Sequence, residues 1–150
     1  MSTCTFGDYF IEGYPMVDSH GQPTVCSGKC GNNAAGCIIY GIKCNNNGSM
    51  VGCGDFCVNF SFQEFVDGFW TEVNSQYFNQ GALVCGQLFP QTTGCIIPNL
   101  GFQGPTINAR YRFVAGIWEG NCNADPILLE NTIVNVAYSS TIIGPKWVGW

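Results

Sequence analysis

The sequence predicts a mainly β domain, an antiparallel sandwich of jelly-roll type, on three observations. Apolar runs are short and bounded by Gly, Asn and Pro, as in Tyr9-Phe10-Ile11 and Cys37-Ile38-Ile39-Tyr40-Gly41-Ile42, which is strand rather than helix length. Two later segments, 106–118 and 132–143, alternate with period two, the period of a half-buried strand. Ten cysteines stand among 150 residues, a density that suits a loop-rich fold fastened by disulfides. The length is that of one domain, residues 1–150, with a cysteine-rich segment of loops and strands, 1–57, packed on a β-rich core, 58–150.

Within 1–57, turn formers recur at Gly13-Tyr14-Pro15, His20-Gly21-Gln22-Pro23, Cys30-Gly31-Asn32-Asn33 and Gly52-Cys53-Gly54-Asp55. Asn47-Gly48 signals a hairpin turn between 37–44 and 49–52, because Asn-Gly accepts the left-handed backbone of a two-residue loop.

Residues 61–79 read differently. Phe62, Phe65, Val66, Phe69, Trp70, Val73 and Tyr77 recur at the spacing of one helix face, which predicts an amphipathic helix near 61–79. Ser61 and Glu64 fit a capping box and Gly81 a stop, while Gly68 is an unfavourable interior residue. The Val58/Phe60/Phe62 alternation is the competing strand signal.

In 106–118, Ile107, Ala109, Tyr111, Phe113, Ala115 and Ile117 form an apolar face, opposite one that carries Arg110 and Arg112. Gly120 to Pro126 reads as a loop, and 132–143 alternates again through Val134, Val136 and Tyr138. Trp147 and Trp150 close the chain, and two indoles are costly to leave in water.

Composition narrows the function. With 46% hydrophobic residues and 15 charged ones the chain is too apolar to remain disordered. A net charge of −5, with Lys29, Lys43, Arg110, Arg112 and Lys146 as the only cations, offers no basic patch for nucleic acid. No apolar run reaches the length of a membrane span. From Val73 to Ala109 there is no Asp, Glu, Lys or Arg, and such a stretch is either buried or meets another molecule.

The cysteines are Cys4, Cys26, Cys30, Cys37, Cys44, Cys53, Cys57, Cys85, Cys95 and Cys122. Cys26/Cys30 and Cys53/Cys57 are C-x3-C pairs, compatible with a four-cysteine zinc site but lacking the tighter knuckle spacing; disulfides are the preferred reading, and no cofactor is expected. Seven cysteines fall in 1–57 and three in 58–150. If all pair within the chain, at least one bridge joins the two parts; otherwise Cys4 is the candidate for a link between chains. The N-terminus shows no signal peptide, whereas ten thiols point to an oxidising destination. Synthesis inside a cell followed by release in a particle, coat or appendage satisfies both, which places the expected location outside the cell or on its surface.

Catalytic signal is sparse. The carboxylates are Asp8, Glu12, Asp18, Asp55, Glu64, Asp67, Glu72, Glu119, Asp125 and Glu130, with Glu119 after Trp118 the most suggestive, and a glycoside hydrolase needs two across a cleft. His20 is the only histidine and sits in a turn. Tyr9, Tyr14, Tyr40, Trp118 and Trp147 are candidates for a carbohydrate platform, and Asn47 and Asn59 head glycosylation acceptor patterns. Arg110 and Arg112 are candidates for pairing with acidic groups of the same or an adjacent chain.

The expected function is structural and not enzymatic: a self-assembling subunit of an extracellular filament, coat or capsid-like particle, partnered by copies of itself, with Cys4, Trp147 and Trp150 as assembly candidates. The alternative is a small secreted carbohydrate-binding module or a glycoside hydrolase using a carboxylate pair. If Cys4 links subunits, Cys4→Ser leaves the fold intact and makes a polymer dissociate in denaturant; an unchanged polymer on a denaturing gel removes Cys4 from the account.

Overall fold

The computed structural model describes residues 5–31, 33–45, 54–83, 88–98, 105–106, 109–139 and 146–150. Among these residues there are eight strands and no helix: β1 (Thr5–Pro15), β2 (Gly36–Asn45), β3 (Gly54–Val66), β4 (Phe69–Leu83), β5 (Leu88–Ile96), β6 (Arg110–Glu119), β7 (Ile127–Ser139) and β8 (Lys146–Gly149). They form two antiparallel sheets, ordered β1-β2-β5 and β4-β3-β6-β7-β8. The expected mainly β class is observed. Hairpin neighbours stay within one sheet, as in β1-β2, β3-β4 and β6-β7-β8, rather than alternating between sheets as jelly-roll strands do.

Period-two alternation builds the core. Phe56, Val58, Phe60 and Phe62 of β3 and Tyr111, Phe113, Ala115 and Ile117 of β6 point inward and are buried. They meet Ile11, Ile38, Tyr40 and Ile42 of the smaller sheet in one apolar cluster. Ring contacts join the sheets, with Phe6 and Phe89 each packed edge-on against Phe56, at 6.0 and 5.1 Å between centroids. The apolar face expected on 106–118 is the one β6 buries, and the arginine face points outward.

β2 is buried on both faces, which explains its unbroken apolar run. Ile38, Tyr40 and Ile42 face the shared core, while Cys37 and Ile39 face a second cluster with Cys26, Phe10, Tyr14 and Met16. That second cover is the connection between β1 and β2, held by the disulfides Cys26–Cys37 and Cys30–Cys95. A third bridge, Cys57–Cys122, pins the loop after β6 to β3. Two of these three bridges tie 1–57 to the remainder of the chain, and Cys44 is also disulfide-bonded. Cys26 and Cys30 take different partners, so this C-x3-C pair serves two bridges; a sulfur held in a disulfide is not the thiolate a zinc ion requires. Cys4, Cys53 and Cys85 lie outside the described residues, as does the hairpin turn expected at Asn47-Gly48.

The helix expected over 61–79 is absent; the segment is the β3-β4 hairpin. Asp67 and Gly68 both have positive φ, 51° and 86°, and link Val66 to its cross-strand partner Phe69. This is the primed two-residue turn that Asp-Gly favours, and its twist matches that of the strands. Ser61, expected to cap a helix, instead donates its hydroxyl to Glu72 across the hairpin at 2.7 Å. The helical spacing of the aromatics was therefore coincidental: Phe62 is buried while Phe69 is 74% exposed. β7 also begins at Ile127, five residues before the expected strand start.

The hairpin and the helix give opposite signs for one substitution. Gly68→Ala at a left-handed position lowers stability by about 1–2 kcal/mol in urea unfolding, whereas in a helix interior it raises stability by about 1 kcal/mol.

Candidate interaction surfaces

Each sheet has two edges, and three of the four carry features that discourage pairing with another chain. β8 has four residues. β1 carries Asp8 and Glu12 and is bulged between Gly7 and Phe10, with Asp8 at φ 47°. β5 has Pro90 within it. Short length, charge, bulges and proline are the usual protections of an edge strand.

β4 is the exception. It is 15 residues long, and from Asn74 to Gln80 it pairs with β3 in unbroken register, Asn74 opposite Phe62 through Gln80 opposite Phe56. Those seven residues, Asn-Ser-Gln-Tyr-Phe-Asn-Gln, include no charge and no proline. Ser75 to Asn79 are exposed in succession, so both faces of the strand meet solvent, with Tyr77 55% and Phe78 42% exposed on opposite faces. The uncharged stretch noted in the sequence thus supplies this edge as well as β5.

The outer face of the larger sheet holds a groove of about 320 Å³. Period two dictates its lining: the residues between the core positions of β3 and β6 point outward, giving Asn59, Ser61 and Gln63 beside Val114, Gly116 and Trp118. β4 adds Glu72, Ser75, Gln76 and Tyr77, and β7 adds Leu128 and Asn131. The Trp118 indole N–H donates to Asn59 Oδ1 at 2.9 Å, and the ring lies against Gly116, where a Cβ would stand 2.7 Å from the indole nitrogen. A chain of polar contacts runs along one wall: Arg112 Nε donates to Gln63 Oε1 at 2.7 Å, Gln63 Nε2 to Ser61 Oγ at 3.0 Å, and Ser61 to Glu72. The Arg112 guanidinium rests on the Trp70 ring, 4.3 Å from its centroid, a cation–π contact that holds the far end of that chain.

The other sequence candidates are dispersed. Tyr40 and Trp147, expected as surface aromatics, are core residues; burial raises the Tyr40 phenol pKa, and Trp147, 7% exposed, packs edge-on against Phe62, Tyr111 and Tyr138. The ring of Trp147 is spent within its own chain. Trp150 is half exposed, donates its indole N–H to the Val136 carbonyl at 2.8 Å and receives the Arg110 guanidinium on its face. Tyr9 and Tyr14 are half-buried on β1, and the Tyr14 hydroxyl donates to Glu12, which raises its pKa.

His20 sits exposed in a turn closed by Asp18, whose carboxylate accepts the backbone N–H groups of Gln22 and His20; those bonds lower the Asp18 pKa. Glu119 is exposed at the end of β6, outside the groove lining, and Asp67 lies in the hairpin turn. Among the described residues no cluster of His, Cys, Asp and Glu is placed to hold a metal ion. Of the two acceptor patterns, Asn47 lies outside the described residues, and Asn59 is a half-buried groove residue bonded to Trp118. Sequence reasoning missed the groove itself, since its residues come from four strands and meet only through the register.

No protein-family model, no curated protein and no solved structure matches this chain.

Gly116→Ala tests the groove floor. The added methyl displaces the Trp118 indole and breaks its bond to Asn59; the expected result is a loss of about 1–3 kcal/mol in urea unfolding with a red-shifted tryptophan emission, and unchanged emission would contradict this packing.

Proposed function

We propose that this protein is a structural, self-assembling subunit of an extracellular filament, coat or particle: a two-sheet sandwich whose copies join through the β4 edge. The observation that carries the reading is the seven-residue segment Asn74–Gln80, regular, uncharged and on a sheet edge, with Ser75 to Asn79 exposed on both faces. An edge strand presents alternate backbone N–H and C=O groups to whatever lies beside it, and another strand satisfies them best. Amide-rich and aromatic segments without charge or proline also stack well on their own copies.

A second copy is the fitting partner. Two Asn74–Gln80 segments paired with each other bring no like charges opposite one another, because β4 carries none from Val73 to its end at Leu83. The other edges are short, bulged or interrupted by proline, so β4 pairing joins copies two at a time, and that pair is the unit from which a larger assembly is built through further contacts. Three disulfides within the described residues fit an oxidising surrounding such as the extracellular medium, and they keep each subunit rigid while the edge is shared.

The test is light scattering of the purified protein over a concentration series, beside the double variant Gln76→Lys, Phe78→Lys. Both positions are exposed, so the variant retains its core. The unmodified protein is expected to form pairs, and particles built from them, as concentration rises, and the variant to need about tenfold more protein to do so, equivalent to ~1.4 kcal/mol per contact. A protein that stays monomeric at every concentration, or a variant that assembles as readily as the parent, overturns the proposal.

A further inference from the structure

The groove on the outer face of β3, β4, β6 and β7 shares Ser75, Gln76 and Tyr77 with the β4 edge segment, but it is a surface on the sheet face, whereas strand addition uses the backbone edge of β4. We infer that it binds a neutral oligosaccharide, with Trp118 and Tyr77 as stacking surfaces and the amides and hydroxyls between them as hydrogen-bonding partners.

The argument is one of chemical complement. Asn59, Ser61, Gln63, Ser75 and Asn131 supply both donors and acceptors along the groove. An aliphatic ligand would leave them desolvated and unpaired. Glu72 is the one carboxylate in the lining and no Lys or Arg belongs to it, so an anionic ligand would meet a negative charge and no positive one. A hydroxylated, uncharged ligand suits the set, and its apolar ring faces match the aromatic surfaces.

The groove is also built to stay in shape. Trp118 is fixed by Asn59 and by the absence of a side chain at Gly116, while Ser61 and Gln63 are held by the chain of bonds from Arg112 to Glu72. Side chains fixed before a ligand arrives lose little entropy on binding. Within the groove Glu72 has no second carboxylate among the lining residues, and a glycosidase of the two-carboxylate kind needs a pair. The lining therefore offers binding groups and not the carboxylate pair of that mechanism.

The experiment is titration calorimetry of the whole protein with cellohexaose, chitohexaose and mannohexaose, and with an acidic oligogalacturonate for contrast. At least one neutral hexasaccharide is expected to bind at or below millimolar concentration without hydrolysis, and more tightly than the acidic one. Tyr77→Ala, at an exposed position, weakens that binding about tenfold, the loss of one stacking surface. Trp118→Phe, which keeps a ring but gives up the bond to Asn59, weakens it less. Failure of all three neutral sugars to bind overturns the inference, as do tighter binding of the acidic sugar and full affinity in Tyr77→Ala. Sugar binding and assembly are read apart with Phe78→Lys alone, titrated alongside: Phe78 is on the β4 edge but outside the groove lining, whereas Gln76 belongs to it, so this variant weakens assembly and keeps the sugar affinity.

Discussion

β3 and β6 pair across nine consecutive positions, from Phe56 opposite Glu119 to Glu64 opposite Tyr111, and nearly everything else in the molecule is arranged around that ladder. Because successive side chains alternate, one face of the ladder becomes the aromatic floor of the core and the other becomes the floor of the groove. The smaller sheet covers the first face. β4 and β7 flank the ladder; the smaller sheet reaches β4 at its end, where Leu83 is buried and Gln80 bonds to Tyr40, and leaves Ser75 to Asn79 wet on both sides. Core, groove and open edge are thus three consequences of one pairing.

A small charged inventory shapes the surface as much as the core does. With few ionic side chains to spend, the protein protects its edges by other means: a bulge on β1, a proline in β5, a four-residue β8. The smaller sheet is reinforced covalently. Its central strand is buried on both faces only because Cys26–Cys37 and Cys30–Cys95 hold an otherwise irregular connection over Cys37 and Ile39. A closed loop of this kind loses less chain entropy on folding than a free one.

Much of this was legible in the residues. The two-period pattern of 106–118 revealed the core face of β6, the apolar run at 37–42 revealed a strand, and Gly120–Pro126 revealed the loop between β6 and β7. The 61–79 segment misled because its aromatics fall at helical spacing, while the local signal against a helix, Asp67-Gly68, was weighed as a weak helix residue rather than as a hairpin turn. The uncharged stretch was visible, but its position on an edge required the strand order. Asn59 and Trp118, or Ser61 and Glu72, become neighbours only when the register is known, so the groove had no signature in the chain. Trp147 and Tyr40 looked like surface rings for the same reason: composition counts aromatics without saying which face they join.

The most direct test of the central claim is amide hydrogen exchange, followed residue by residue in dispersed and assembled protein. Exchange reports which backbone groups gain partners. On assembly, amides within Asn74–Gln80 that exchange quickly in the dispersed protein become protected, while those of β3 and β6 are protected in both states. Assembly that leaves the β4 amides as fast as before, and protects another edge instead, would contradict the account.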